Sequence, residues 1–162
     1  MVRARGAMLH FAYGSNMDRA VMRKHAPAAE PVGSAFLINH RFVITADGYA
    51  SVVPARAQIV YGLLWRLTPR DRVTLDMWEG LGSGQYRAAV MPVRRAGARQ
   101  PALVYLARPQ PFGRPKAGYM ELVLAAAQAW ELPQPYIHSL RRWLPAQPLG
   151  AGARNLREFG WT

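Results

Sequence analysis

Alternation and runs of hydrophobic residues predict six β-strands in the first two thirds of the chain. Residues 35–45 alternate in polarity, which is typical of a half-buried strand whose apolar face carries Phe36, Ile38, Phe42 and Ile44. Residues 58–67 are almost continuously apolar, as in a strand that is buried on both faces. The predicted strands cover residues 8–13, 35–45, 49–53, 58–67, 86–93 and 102–107.

Helices are predicted after the first strand, in the middle of the chain and at its end. The first covers residues 18–25, and Asn16 is its candidate cap. Alanine and leucine content predicts a helix over residues 119–132, and the spacing of apolar residues predicts another over 135–144. This order of elements favours an α+β fold on a largely antiparallel or mixed sheet.

Length and composition set broad limits. The chain has 162 residues, of which 51% are hydrophobic, so we expect one domain over 1–162 that ends in an extended tail, 146–162. No apolar run reaches the roughly 20 residues that cross a bilayer, and we expect a cytoplasmic protein with no membrane partner. The absence of cysteine excludes disulfides, thiolate catalysis and cysteine-ligated metals.

The charge balance is strongly basic. Twenty-one Lys and Arg residues against nine Asp and Glu give a net charge of +12, which suits nucleic acid or acidic ligands. The arginines are scattered rather than clustered, which favours a coding bias over a nucleic-acid partner. A nucleic-acid-binding protein remains an alternative, which the absence of binding at about 0.15 M salt would remove.

Small residues follow the first strand in the segment "YGSN", residues 13–16. Between a strand and a helix, backbone N–H groups stay unpaired at the positive end of the helix dipole. A carboxylate or phosphate fits such a place, and Gly14 lets the backbone approach the ligand closely. Ordinary capping produces the same pattern, so this segment alone leaves both interpretations open.

A second candidate site lies at the end of the middle helix. The segment "TPRD", residues 68–71, combines a capping hydroxyl, a first-turn proline and an acid, and predicts a helix that runs to about Glu79. The helix dipole and burial beside Trp78 would both raise the pKa of the Glu79 carboxyl. Such a carboxylate suits proton transfer near neutral pH, whereas a solvent-exposed Glu79 is the alternative.

Other motifs do not fit by their spacing. The segment "GLGSG", residues 80–84, matches neither the dinucleotide-binding pattern nor the P-loop. The histidines at positions 10, 25, 40 and 138 are far apart, and we expect no metal site. Asp76 lies one turn before Glu79 and is spaced to pair with Arg72, so we assign it to the surface.

Two motifs in this order resemble a known family. "FAYGSN" (11–16) and "LDMWEGLGSGQY" (75–86), with "AFLINHRFVI" (35–44) and "VYGLLWRLT" (60–68) between them, are similar to segments of the γ-glutamylcyclotransferase-like proteins. That group includes the AIG2-like and butirosin-biosynthesis cyclotransferases. The likeness extends from about Leu9 to Trp143. It implies a small mixed β-barrel with flanking helices and a substrate cavity at one end.

The resemblance also implies an activity. Members of the family release the γ-glutamyl group of a γ-glutamyl amine or amino acid as 5-oxoproline, with neither metal nor organic cofactor. It implies that Glu79 is the catalytic acid/base. His10 departs from the family, in which tyrosine is commoner at this position. The substrate-binding residues that the resemblance implies are His10, Phe11, Ala12, Tyr13, Gly14, Ser15, Tyr86 and Tyr119.

An enzyme and a binding module are both compatible with this resemblance, because fold does not fix function. Retention of Glu79 favours the enzyme over a module that binds a small molecule without turnover. The leaving group stays open between an amino acid, an amine, a dipeptide and a pathway intermediate.

Overall fold

The computed structural model describes residues 7–146, and its centre is a closed barrel with the strand order β1-β3-β2-β4-β5. Neighbouring strands are antiparallel except β1 and β5, which are parallel. The predicted mixed barrel with flanking helices is confirmed. The strands are β1 (Met8–Ala12), β2 (Glu30–Ile44), β3 (Ala50–Leu67), β4 (Tyr86–Arg95) and β5 (Ala98–Ala107).

Four α-helices and three short 3-10 turns accompany the barrel within the described residues. The helices are α1 (Arg19–His25), α2 (Pro69–Trp78), α3 (Tyr119–Ala129) and α4 (Gln134–Leu140). The 3-10 turns are Ser15–Met17, Leu81–Ser83 and Arg141–Trp143. No helix within residues 7–146 is long and apolar enough to cross a membrane. Apart from residue 146, the predicted tail lies outside the described residues.

The long hairpin of β2 and β3 differs from the sequence prediction in two ways. The predicted strands 49–53 and 58–67 are one continuous strand, β3. The register of β2 against β3 shifts between Ile38 and His40, where Asn39 has φ of 57°. Between the pairs Ile38↔Ile59 and His40↔Pro54, β2 has one residue and β3 has four, and this irregularity reverses the alternation of faces in β2. Ile38 is therefore 38% exposed although Phe42 is buried, and the prediction of one shared face was wrong.

The helix starts are partly as predicted. In α2 the Asp71 N–H donates to Thr68 Oγ1 at 3.1 Å and the Thr68 N–H donates to Asp71 Oδ2 at 3.2 Å, so the capping box is confirmed. The cap of α1 is Asp18, whose Oδ1 accepts two N–H groups at 2.9 Å. The prediction that Asn16 caps this helix was wrong, because Asn16 lies in the preceding 3-10 turn.

Strand β1 closes the barrel. It pairs with β3 from Met8↔Leu67 to Ala12↔Leu63, and with β5 at His10↔Leu103. The backbones approach so closely beside Gly62 that a Cβ there would lie 2.2 Å from the Ala12 carbonyl oxygen. Only glycine fits this position without moving β1.

We expect Gly62→Ala to lower the free energy of unfolding by about 2 to 3 kcal/mol, because the methyl group overpacks the core against main-chain atoms. Chemical denaturation measures this loss. Gly82→Ala is the matched control, since a Cβ at Gly82 meets no atom within 4 Å. Equal stability of the two variants would contradict the tight packing of β1 on β3.

Candidate functional site

One cavity of about 1010 Å³ opens where β1 ends and β3 and β4 begin. Its wall includes every residue that the sequence assigned to the site. It also includes Asn16, which was predicted as a helix cap, and Tyr105. The assigned residues in the wall are His10, Phe11, Ala12, Tyr13, Gly14, Ser15, Glu79, Tyr86 and Tyr119.

Two tryptophans hold the segment that follows β1. Trp65 Nε1–H donates to the Asn16 carbonyl oxygen at 2.9 Å, and Trp130 Nε1–H donates to the Met17 carbonyl oxygen at 2.7 Å. The two indole rings pack edge to face, with centroids 6.0 Å apart. The segment is therefore fixed from behind by β3 and by the end of α3.

Gly14 permits a close approach between this segment and α3. A Cβ at Gly14 would lie 2.7 Å from Tyr119 Oη and 3.2 Å from the Ala50 Cβ. Tyr119 Oη accepts the Ala50 N–H at 3.3 Å, and the backbone and hydroxyl of Ser15 also hydrogen-bond to it. Burial raises the pKa of Tyr119 to about 12, although these hydrogen bonds lower it. Tyr119 is therefore neutral at physiological pH.

Three further tyrosines line the cavity with their hydroxyl groups turned to protein acceptors. Tyr13 donates to the Tyr105 carbonyl oxygen, and Tyr86 donates to the Ala50 carbonyl oxygen at 2.7 Å. Tyr105 donates to Asp76 Oδ1 at 2.7 Å. Burial raises the pKa of all three phenols. This part of the wall consists of neutral aromatic rings.

Glu79 is held at the C-terminal end of α2. Its N–H donates to the Leu75 carbonyl oxygen at 2.8 Å and completes the last helical turn. Gly80 then takes a φ of 67°, a left-handed conformation that favours glycine and ends the helix. The predicted end of the helix is confirmed, and it sets the Glu79 side chain in the cavity wall.

The surroundings of Glu79 raise the pKa of its carboxyl to about 7. Burial is the main cause, and the Asp76 carboxylate adds to it. The hydrogen bond from Asn16 Nδ2 to Glu79 Oε1, at 2.9 Å, acts in the opposite direction. Trp78, which the sequence analysis placed beside the carboxyl, is itself 48% exposed and stacks on the ring of His25.

Asp76 is more than a surface residue. Its ion pair with Arg72 is confirmed, with Arg72 Nε 2.8 Å from Asp76 Oδ1. Its side chain is only 28% exposed, however, and it accepts a hydrogen bond from the Tyr105 hydroxyl. The surface assignment was wrong because β5, remote in sequence, covers this face of α2 through Tyr105.

His10 and Asn16 connect the barrel to Glu79. His10 is buried, its Nδ1 lies 3.1 Å from the Leu103 carbonyl oxygen, and its Nε2 lies 3.5 Å from Asn16 Nδ2. Burial lowers the pKa of His10 to about 4, so the imidazole is neutral. Within residues 7–146, no group of three His, Cys, Asp or Glu side chains could hold a metal ion.

Comparison with known proteins agrees with this architecture. The sequence profile of the AIG2-like family matches residues 59–140, half of the chain. A solved structure of a γ-glutamyl cyclotransferase has a TM-score of 0.83 and 21% identity, over 94% of this chain and 96% of its own. No match was found among curated proteins.

Two further solved structures have the same fold. An uncharacterised protein from Homo sapiens has a TM-score of 0.83 and 22% identity, over 95% of this chain and 98% of its own. YkqA from Bacillus subtilis has a TM-score of 0.76 and 24% identity, over 90% of this chain and 56% of its own. From its sequence profile and its barrel, the chain belongs to the AIG2-like family and has the γ-glutamyl cyclotransferase fold.

Proposed function

We propose that the protein is a γ-glutamyl cyclotransferase, which converts a γ-glutamyl amine or amino acid to 5-oxoproline and a free amine. The observation that carries the proposal is the Glu79 carboxyl, with a pKa of about 7, in the wall of a cavity. A carboxyl of this kind exchanges protons readily near neutral pH. The similarity to a γ-glutamyl cyclotransferase supports the choice of reaction.

The main chain at residues 14–16 is the proposed anion-binding element. The hydrogen bonds of the 3-10 turn begin with Met17 N–H to the Gly14 carbonyl oxygen, so the turn does not use the N–H groups of residues 14–16. The backbone of Ser15 already hydrogen-bonds to Tyr119 Oη, so the N–H groups of Gly14 and Asn16, two residues of the cavity wall, would bind the α-carboxylate of the substrate. Anchoring that carboxylate would hold the γ-glutamyl group in a folded conformation.

The reaction requires no protein nucleophile. The substrate α-amine attacks its own γ-carbonyl carbon, a C–N bond of the five-membered ring forms, and the amide C–N bond to the leaving group breaks. The attacking nitrogen loses two protons and the leaving nitrogen gains two. Glu79 as carboxylate takes one proton from the α-ammonium group and, as the acid, returns it to the leaving nitrogen. The second proton passes from the ring nitrogen to water, and the released amine takes one from water. Holding the folded conformer supplies the rest of the catalysis.

Glu79→Gln is expected to abolish turnover, with a loss of at least about a hundredfold in kcat, because an amide cannot carry the proton. The measurement is release of 5-oxoproline from a panel of γ-glutamyl amino acids and γ-glutamyl amines, with the wild type beside the variant. Normal turnover by Glu79→Gln would remove Glu79 from this role. No release by the wild type from any compound would favour the binding module.

The same variant is expected to be more stable than the wild type at pH 8. Folding raises the pKa of Glu79 from 4.5 to about 7, so its contribution to stability is full below pH 4.5 and is lost as the pH rises through 7. Glu79→Gln avoids that loss of stability. We expect the loss to be about 1 to 2 kcal/mol, since water in the cavity solvates the carboxylate in part and reduces the cost of its charge. Thermal unfolding should show the difference at pH 8 and not at pH 4.5.

The value of kcat/KM is expected to fall below pH 7, because protonated Glu79 cannot accept the proton of the α-ammonium group. The decline should approach tenfold per pH unit well below 7. A pH profile of kcat/KM with one good substrate measures it. A profile that stays flat between pH 5 and 7 would contradict the assignment of Glu79.

Gly14→Val is expected to raise KM for the γ-glutamyl substrate by about tenfold or more, because the new side chain would collide with Tyr119 and narrow the anion-binding segment. Steady-state kinetics measures KM. Gly82→Val, at a position with open space, is the control. Unchanged substrate affinity in a folded Gly14→Val variant would contradict this anion site.

A further inference from the structure

We propose that His10 and Asn16 act as a positioning pair that keeps Glu79 Oε1 a hydrogen-bond acceptor, so that Oε2 is the oxygen that takes up and returns the proton. The inference rests on the proposed function for what the proton does. It deepens that function, because it assigns different roles to the two oxygens of one carboxyl. The evidence is a chain of contacts from Leu103 through His10 and Asn16 to Glu79.

The backbone of β5 determines the tautomer of His10. Its Nδ1 lies 3.1 Å from the Leu103 carbonyl oxygen, which can only accept, so Nδ1 carries the proton. The buried imidazole is neutral, and its Nε2 is therefore an acceptor. His10 thus presents an acceptor of fixed polarity to Asn16.

Two acceptors then determine the orientation of the Asn16 amide. Asn16 Nδ2 lies 2.9 Å from Glu79 Oε1 and 3.5 Å from His10 Nε2, so its two N–H groups face both acceptors. Asn16 is 6% exposed, and its buried Oδ1 has no hydrogen-bond partner. Because the amide oxygen has no partner, the hydrogen bonds of the amide nitrogen determine the orientation of the side chain. A flipped amide would set Oδ1 against two acceptors.

The role of His10 becomes important when Glu79 is protonated. Without His10 Nε2, the Asn16 amide could rotate and accept a proton that Glu79 carries on Oε1. With Nε2 in place, that rotation would bring two acceptors together. Asn16 therefore remains a donor in both protonation states of Glu79, and the proton resides on Oε2. Oε1 stays bonded to Asn16 while a proton moves between the substrate α-ammonium, Oε2 and the leaving nitrogen.

Other groups around Glu79 do not replace this pair. Asp76 accepts hydrogen bonds from Arg72 and Tyr105, and its negative charge acts on both oxygens of Glu79. The tyrosines whose pKa values respond to the charge on Glu79 remain neutral. They are Tyr13 in the segment after β1, Tyr86 in β4, Tyr105 in β5 and Tyr119 in α3. The hydrogen bond to Glu79 Oε1 comes from Asn16 Nδ2.

The test is a pH titration of Glu79 in the full chain without substrate. The glutamate side chains are labelled with ¹³C at the carboxyl carbon, and NMR monitors the titration. Asn16→Ala is expected to make the Glu79 carboxyl a weaker acid by about three- to tenfold, because the ionised form loses its donor. His10→Asn keeps a donor for the Leu103 carbonyl and removes the acceptor at Nε2. We expect it to weaken the acid by about threefold, since the protonated form gains a rotated amide.

The double variant separates positioning from general damage. If His10 acts through Asn16, His10→Asn changes the Glu79 titration little when residue 16 is already alanine. Full additivity of the two changes, or a Glu79 titration unaltered by Asn16→Ala in a folded protein, would overturn the proposal. Thermal unfolding of each variant verifies the fold.

The titration is independent of turnover, so the two proposals can fail separately. The expected titration in a protein that releases no 5-oxoproline would overturn the proposed function and support the pair as a device that fixes the Glu79 carboxyl. Where turnover is measured, the acid side of the kcat/KM profile should move to higher pH in Asn16→Ala. The pKa from this profile should rise by as much as the pKa of Glu79 from the NMR titration. Loss of kcat without that movement would overturn the link between the pair and the proton.

Discussion

The structure depends on strand β1 being hydrogen-bonded on both edges. Its five residues pair antiparallel with β3, and His10 pairs with Leu103 of the parallel strand β5, which closes the barrel. The chain leaves β1 at one end of the barrel, directly into the segment that contains Gly14 and Asn16. The close approach beside Gly62 fixes β1 against β3, and the indole of Trp65, also in β3, holds the Asn16 carbonyl. The position of the cavity wall is therefore determined by the barrel.

Opposing electrostatic effects set the acidity of Glu79. Burial and Asp76 favour the neutral carboxyl, whereas the Asn16 hydrogen bond favours the carboxylate. The balance lies near neutral pH, where a carboxyl can both accept and donate a proton. This arrangement costs stability, because a charged carboxylate is partly buried above pH 7. Destabilisation at the site of chemistry is common in enzymes.

The sequence was most informative where the determinants are local. The capping box at Thr68 and Asp71 predicted the start of α2 correctly. The strand pattern, together with the family resemblance, predicted the barrel. The register shift at Asn39 was not predictable, because a local irregularity in strand pairing reverses a face without altering composition. The role of Asn16 was missed for a different reason. Its partners His10 and Glu79 lie 6 and 63 residues away, and only the closed barrel brings them together.

The activity itself is tested most directly by the identity of the product. A γ-glutamyl amino acid labelled with ¹³C in the glutamyl group can be followed by NMR with the wild-type protein in water enriched in ¹⁸O. Intramolecular attack predicts labelled 5-oxoproline that carries no ¹⁸O from solvent, because water takes no part in ring closure. Labelled glutamate that contains ¹⁸O would mean hydrolysis by attacking water and would contradict the cyclotransferase mechanism.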